Sequence, residues 1–455
     1  MKKLTSRTLI CLILALMLAV GTGVFVVRWF TQGGAWVSFS ANDHLYRNGV
    51  LKQGTILDRN GVVLAQATEN GWVFHENSSI RRATLHATGD AEGKIGAGAT
   101  NAFADRLSGY NFLTGARTFF QGGRRLYLTI DADLNLAAYE AMGSLKGCIG
   151  LYDYTTGAIL CMVSAPGYDP ASPPEISEDD VTMNGAYINR FLSASFIPGS
   201  TFKLITSAAA LETLDGIQDR TFTCTGSLQL DDFTITCPSP HGDIGLGEAL
   251  TVSCNCVFAQ LAVEMGPDIM ETYVKQTGLT NSCSVNGIPT KESTFNFRSG
   301  NAGELGWSGV GQGFDLVNPC AMMVYAGAIA NGGKTAKPQL IAHTNTKDDL
   351  RISIYLPHQT SRLLAQDTAN TLKQMMKDNV TNNYGTGNFP GLTVGAKSGT
   401  AQDGTGRNNA WFVGFVEDVE HPLAFVVFLE GGGSGSSAAG SVASRLLQAA
   451  IEAGY

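Results

Sequence analysis

Three short groups of residues in this chain have the types and spacing that acyl transfer needs. The first is Pro198-Gly199-Ser200-Thr201-Phe202-Lys203, followed by an apolar, alanine-rich run at 204–211. Pro-Gly ends the segment before it, and the run predicts a helix beginning near Ser200. Three residues is close to one helical turn, so Lys203 shares a face with Ser200. A serine hydroxyl is a weak nucleophile until a base takes its proton. A lysine does this when burial and nearby positive charge lower its pKa. The helix N-terminus adds backbone N–H groups for an oxyanion. Taken alone, Ser-x-x-Lys is common, and an exposed helix start is the better explanation.

The second group is Ser253-Cys254-Asn255, ahead of an apolar helical run at 257–263. Its serine and asparagine, two apart, can aim a hydroxyl and an amide into a cleft, although both are also ordinary helix caps. The third is Lys397-Ser398-Gly399-Thr400, directly after a predicted strand at 392–396. On an edge strand Gly399 lets a substrate backbone come close. Lys397 then supplies a cation and Ser398 a hydroxyl for a carboxylate. A polar strand end is the plainer reading.

A fourth set is Cys224, Cys237, His241 and Cys254, spaced C-x12-C-x3-H-x12-C. Three thiolates and an imidazole suit a closed, tetrahedral structural zinc site. A Cys224–Cys237 disulfide and unlinked thiols are the two competing readings, the first permitted by an extracellular setting. Runs at 221–228 and 233–236 look like hairpin strands that bring Cys224 to Cys237. Cys256, two residues past Cys254, is expected to face elsewhere on the helix, in the core. Cys148, Cys161 and Cys320 lie in apolar stretches and read as small core residues.

The elements that must position these groups follow from patterning. Near 126 a strand-like run, 126–130, precedes a helix at 134–142 that Asp131 or Asp133 caps. Apolar runs at 148–152 and 158–164 flank a polar turn and form a hairpin. Helical pattern dominates 189–275, with interruptions. Strands return near 391–396, 410–415 and 424–429, and a helix at 438–453 closes the chain. Strands at both ends with helices between predict an α+β domain, one antiparallel sheet with helices packed on it. Ahead of it, residues 29–125 read as a small β-rich module, containing Gly54-Thr55-Ile56-Leu57-Asp58-Arg59-Asn60-Gly61 with its Asn-Gly hairpin signal.

The first residues set the compartment. After Lys2, Lys3 and Arg7, the run 9–27 carries no charge and, as a helix, just spans a bilayer core. Basic residues ahead of it put the N-terminus in the cytoplasm and the rest outside. A cleaved signal peptide competes, but its apolar region is usually shorter. The expected division is a tail at 1–8, an anchor at 9–27, a membrane-proximal module at 29–125 and a catalytic domain at 126–455. Among the 455 residues, 44% are hydrophobic and 15% charged, which excludes a largely disordered chain. The net charge of −8 gives no footprint for nucleic acid.

Serine-x-x-lysine, serine-x-asparagine and lysine-serine-glycine in this order form the motif set of penicilloyl-serine transferases. The chain resembles the class B penicillin-binding proteins, monofunctional D,D-transpeptidases. The likeness extends over most of 126–455 and includes Asn189-Arg190, Gly311-Gln312-Gly313, Ala330-Asn331-Gly332-Gly333 and Trp411-Phe412-Val413-Gly414. The stretch 54–61 resembles the membrane-proximal signature of the same class. The resemblance implies that Ser200 attacks the D-Ala-D-Ala carbonyl of a stem peptide and that Lys203 is its base. It implies that Ser253 relays a proton and Asn255 holds the substrate amide. Lys397, Ser398 and Thr400 would recognise the terminal carboxylate, with Gly399 between them. The N–H groups of Ser200 and Thr400 would form the oxyanion hole. β-Lactams would acylate the same serine, and an integral-membrane glycosyltransferase is the expected partner. Some relatives hold a zinc beside the serine-x-asparagine motif through its middle residue, here Cys254; no organic cofactor is expected. Ser398 stands where threonine is commoner, and the 29–125 module is shorter than many. The rival readings are a serine β-lactamase or D,D-carboxypeptidase, and a non-catalytic β-lactam sensor or scaffold.

Overall fold

In the computed structural model, residues 2–37, 39, 45–47, 49–110, 123–177, 179–298, 300–402 and 404–455 are described. Residues 111–122, part of the expected membrane-proximal module, lie outside them. The apolar N-terminal run forms the helix Lys2–Val37. Its stretch Arg7–Gly34 has a mean hydropathy of 2.8 and is long and apolar enough to cross a membrane.

The Lys397–Thr400 group lies on a five-stranded antiparallel sheet. Its spatial order is Val394–Gln402, Asn408–Val416, Leu423–Glu430, Lys146–Asp153, Ile159–Ala165. The last two strands form the expected hairpin, whose turn is held by the Asp153 carboxylate accepting the N–H groups of Thr155 at 2.7 Å and Thr156 at 3.0 Å. Side chains alternate across a strand, and here both faces are covered. Trp411, Val413 and Phe415 enter a core shared with the helices Lys203–Thr213, Asn255–Gln276 and Pro319–Ala330. Ala410, Phe412 and Val416 enter a second core, with the helices Ala132–Met142 and Gly440–Glu452. That is why these strands read as unbroken apolar runs. Each large side chain fully buried in them contributes about 1.5–3 kcal/mol.

Much of the 29–125 segment is built around a second sheet of six strands. In order they are Arg351–Ile354, Ile341–Asn345, Arg125–Leu128, Thr55–Leu57, Val63–Thr68 and Gly71–Phe74. The sheet thus takes strands from both sides of position 125. The Asn-Gly signal marks the turn between the strands Thr55–Leu57 and Val63–Thr68. Buried Asp58 organises that turn, accepting from the N–H groups of Asn60 and Val62, both at 2.8 Å, and from Ala132 at 3.1 Å. The turn is thereby tied to the start of the helix Ala132–Met142. Of the two cap candidates Asp131 is the cap, accepting from Leu134.

Three local expectations need correction. The serine helix does not start as an α-helix: Gly199–Phe202 is a 3-10 turn, and the α-helix begins at Lys203. The Lys397–Thr400 group lies within the strand Val394–Gln402, not after its end. Pairing with Asn408–Val416 carries the strand on through residues of weak β preference. The run 221–228 is not one strand. Gly226, at φ 97°, breaks it. Ser227–Leu230 pairs with Phe233–Thr236 around a turn in which Asp231 has φ 48°, while Thr221–Cys224 pairs with Gly242–Gly245.

Candidate active site

Glycines let the serine turn and the edge strand meet. Gly199 has φ 56°, and a Cβ there would stand 2.7 Å from the Thr400 carbonyl oxygen. A Cβ on Gly399 would stand 2.8 Å from the Pro198 oxygen and 3.0 Å from Thr201 Cγ2. The Gly199 N–H donates to the Gly311 carbonyl at 2.8 Å, and Gln312 Nε2 donates to the Thr400 carbonyl at 3.2 Å. Trp411 Nε1 anchors the approach to the turn by donating to the Ile197 carbonyl at 2.9 Å. Ser200 is half-buried at the start of this turn, beside the strand that carries Thr400. A cleft of about 840 Å³ opens here, lined among others by Ile197, Asn255, Trp307, Gln312 and Thr400.

Behind the serine two fully buried lysines converge on one hydroxyl. Lys203 Nζ donates to the Ser253 carbonyl at 2.7 Å, to Asn255 Oδ1 at 2.7 Å and to Ser253 Oγ at 3.2 Å. Lys397 Nζ donates to Ser253 Oγ at 3.1 Å and to the Ser398 carbonyl at 3.0 Å. Burial, then the Lys397 charge, holds Lys203 well below the usual lysine range. Burial lowers Lys397 to about 7. No hydrogen bond joins Lys203 to Ser200 Oγ among the described residues; the lysine is held instead by the serine-x-asparagine segment. Ser253 sits at φ 56°, a left-handed conformation that costs a non-glycine residue about 1–3 kcal/mol.

Asn255 also donates through Nδ2 to the Thr236 carbonyl at 2.7 Å, joining the motif to the strand Phe233–Thr236. Cys224, Cys237, His241 and Cys254 come together directly beneath, their ligand atoms all within 4.8 Å of one another. The Cys237 sulfur accepts the Asn255 N–H at 3.2 Å. It also accepts the Cys256 N–H at 3.5 Å, and the Cys256 sulfur lies 3.5 Å away. Cys256 is buried as expected, but it borders the cluster rather than facing away from it. The cause is that the helix starts at Asn255, so its first N–H groups close on Cys237.

Sequence reasoning missed two contacts on the edge strand. Tyr384 Oη donates to Ser398 Oγ at 2.8 Å, and Asn379 Nδ2 donates to the Ala396 carbonyl at 2.9 Å. Tyr384 lies in a polar stretch without periodicity, and only its aromatic ring among asparagines marks it out.

Fold and site define one class. Residues 147–449 match the penicillin binding protein transpeptidase domain, and the chain belongs to that family. It is 31% identical over 367 residues to the peptidoglycan D,D-transpeptidase PbpA of Mycobacterium tuberculosis, spanning 74% of each chain. To PbpA of Mycolicibacterium smegmatis it is 32% identical over 359 residues, 71% of each. The structure of penicillin-binding protein A from M. tuberculosis as a ceftriaxone acyl-enzyme complex superposes with a TM-score of 0.75 at 26% identity. That match covers 88% of this chain and 98% of the other. The D,D-transpeptidase domain of an Eggerthella lenta peptidoglycan glycosyltransferase gives the same four figures.

Proposed function

We propose that this protein is a membrane-anchored peptidoglycan D,D-transpeptidase working through an acyl-Ser200 intermediate. The observation that carries the reading is the meeting of Lys203 and Lys397 on Ser253 Oγ, behind a serine packed against an edge strand. Lys203, its pKa lowered by burial, takes the Ser200 proton as Oγ attacks the D-Ala-D-Ala carbonyl. Charge collects on the carbonyl oxygen, which the Ser200 and Thr400 N–H groups hold. Lys203 returns the Ser200 proton through Ser253 Oγ, 3.2 Å from its Nζ, to the departing D-alanine amine. Asn255 binds the substrate amide, and Lys397, Ser398 and Thr400 bind the terminal carboxylate beside Gly399. The amine of a neighbouring stem peptide then takes the acyl group and forms the cross-link. β-Lactams stop the cycle after acylation.

The cysteine–histidine cluster accommodates a structural zinc ion. At a Zn–S distance near 2.3 Å, a tetrahedral site spaces its sulfurs about 3.8 Å apart. The Cys224–Cys237 and Cys237–Cys254 sulfurs are 3.8 and 3.7 Å apart, and His241 Nδ1 is 3.4 Å from Cys224 Sγ. Neither cysteine of the competing pair is in a disulfide. Cys224, Cys237, His241 and Cys254 would hold the ion, whose closed ligand set gives it a bracing role only.

The helix Lys2–Val37 is the anchor. Lys2, Lys3 and Arg7 keep its start cytoplasmic and the catalytic domain outside. Residues 1–8 form the tail, 9–27 the membrane span, 29–125 the module that holds the transpeptidase domain, 126–455, off the membrane. An integral-membrane glycosyltransferase supplies the glycan strands. The test is acylation of the full chain in detergent by a fluorescent penicillin, beside Ser200→Ala, followed over hours. Stable labelling that the variant loses is expected. Labelling that decays within seconds makes the protein a β-lactamase, and none at all in a folded sample leaves a scaffold.

A further inference from the structure

The edge strand Val394–Gln402 presents outward-facing groups at every second residue; Gln312 and Lys397 already donate to the Thr400 and Ser398 carbonyls, and two further contacts come from one neighbouring segment. Asn379 Nδ2 caps the Ala396 carbonyl at 2.9 Å. The Ser398 N–H donates to Tyr384 Oη at 2.8 Å. Among the described residues no protein group caps the N–H of Thr400, next in the series. Asn379 and Tyr384 therefore close the strand edge up to the Ser398 N–H and leave the Thr400 N–H open. Both come from the end of the helix Gln366–Asn379 and the one-turn π-helix Val380–Tyr384 that follows it.

The hydrogen bonds around Tyr384 leave its proton one destination. Asn379 must turn Nδ2 toward the Ala396 carbonyl, which only accepts, and its Oδ1 accepts from Asn383 at 3.3 Å. Its second Nδ2 hydrogen goes to Tyr384 Oη at 3.0 Å. Tyr384 Oη accepts from Asn379 and from the Ser398 N–H, which fills both lone pairs of a phenol oxygen. Its single proton goes to Ser398 Oγ at 2.8 Å. Ser398 Oγ is then an acceptor toward Tyr384, and its own proton is left to donate elsewhere from a half-exposed side chain. Burial raises Tyr384 above the usual phenol range, which keeps the donor protonated.

We infer that Tyr384 is a positioning residue for substrate recognition: it commits Ser398 to donate a hydrogen bond to the substrate's terminal carboxylate, and with Asn379 it sets where the substrate backbone meets the edge strand. The inference rests on the transpeptidase reading and deepens it. A serine at 398 rotates freely where a threonine is hindered by its methyl group, so the chain fixes by a tyrosine what a β-branched side chain restricts by itself.

The experiment compares acylation of the full chain in detergent by benzylpenicillin and by its methyl ester, which cannot present a carboxylate. Tyr384→Phe is expected to slow benzylpenicillin about tenfold, the scale of one hydrogen bond to a charged group. The loss should fall on half-saturation more than on the limiting rate, and the ester should react as with the wild type. Ser398→Ala should show the same selective loss, and Tyr384→Phe should add nothing to it. Equal slowing of both probes by Tyr384→Phe, no slowing, additive losses in the double variant, or an unchanged penicillin-to-ester ratio in Ser398→Ala overturns the inference alone. A wild type that benzylpenicillin fails to acylate overturns the transpeptidase reading, and this inference with it.

Discussion

The two walls of the cleft are held by different physics. One wall is the strand Val394–Gln402, nine residues laddered to its neighbour from Val394↔Val416 to Gln402↔Asn408. Behind it the sheet is buried on both faces, and glycines at 199 and 399 press the serine turn against it. The other wall runs from Thr221 to Asn255, made of four-residue strands in two-stranded sheets and the short helix Leu246–Thr251. Two-stranded pieces of that length do not hold themselves in water. The second wall buries Phe222, Ile235, Ile244 and Leu250 in the main core, and adds the cysteine–histidine cluster and Asn255, which bridges Thr236 and Lys203. A sheet ladder holds one wall; core packing and a contact of four side chains hold the other. On the proposed reading the first wall carries the oxyanion and carboxylate contacts, and the second carries the proton relay, braced at the cluster.

The largest expected effect belongs to the residue that touches the second wall from the core. Lys203→Ala removes the base and the ties to Ser253 and Asn255. Acylation by penicillin should fall about 10³-fold, the range of general base catalysis. A rate within tenfold of wild type would take the base role from Lys203. Next comes the cluster itself. Verified metal removal by a chelator should lower the melting temperature and slow acylation, because the Ser253–Asn255 segment loosens. An unchanged acylation rate after removal would show that the second wall stands without it. For the first wall, Gly399→Ala puts a Cβ against the Pro198 oxygen and Thr201. We expect a loss of about 1–3 kcal/mol in denaturant unfolding, with no change in metal content. Metal loss in Gly399→Ala would mean that the two walls are one unit.

Much of this was legible in the sequence, and the reasons for the rest are particular. The three motifs could be read in order because each concentrates its chemistry within four residues. The doubly covered sheet showed as apolar runs. The extent of the strand beyond Ala396 did not show, because Lys397, Ser398 and Gly399 are held in it by pairing with Val413, Phe412 and Trp411. The pairing of the strands between Thr221 and Gly245 was misread because Gly226 looked like one more residue of a strand. Tyr384 and Asn379 act on residues 14 and 17 positions away, at a distance that a π-helical turn sets and no periodic pattern encodes. Lys203 reaches Ser253, 50 residues on, although helical spacing spoke only of Ser200.

A smaller effect separates the walls by pH. Lys397, of the first wall, is lowered by burial to about 7 from 10.5, and Lys203 is lowered too. Between the folded and unfolded values the unfolded chain binds more protons, so stability rises with pH from about 7 toward 10.5. The slope is at most about 1.4 kcal/mol per pH unit for each proton. Unfolding in denaturant at pH 7.5 and 9 should show it, and Lys397→Met should flatten it. An equal slope in that variant would mean that Lys397 keeps its charge when folded.

The smallest effect concerns which sulfurs hold the second wall. Cys256 Sγ stands 3.5 Å from Cys237 Sγ, nearer than Cys224 Sγ at 3.8 Å or Cys254 Sγ at 3.7 Å, and it also lies 3.8 Å from the Ile235 carbonyl. Cys256 stands outside the group of four whose ligand atoms all lie within 4.8 Å of one another, so the zinc reading makes Cys256 a packed neighbour and Cys237 a ligand. Cys256→Ala should leave one metal ion per chain and cost about 1 kcal/mol of stability. Cys237→Ala should lose the ion and, with it, the acceptor for the Asn255 and Cys256 N–H groups. Metal content by elemental analysis decides the matter. An ion retained in Cys237→Ala and lost in Cys256→Ala would exchange their roles, and it would move the support of the second wall from the strand end into the helix.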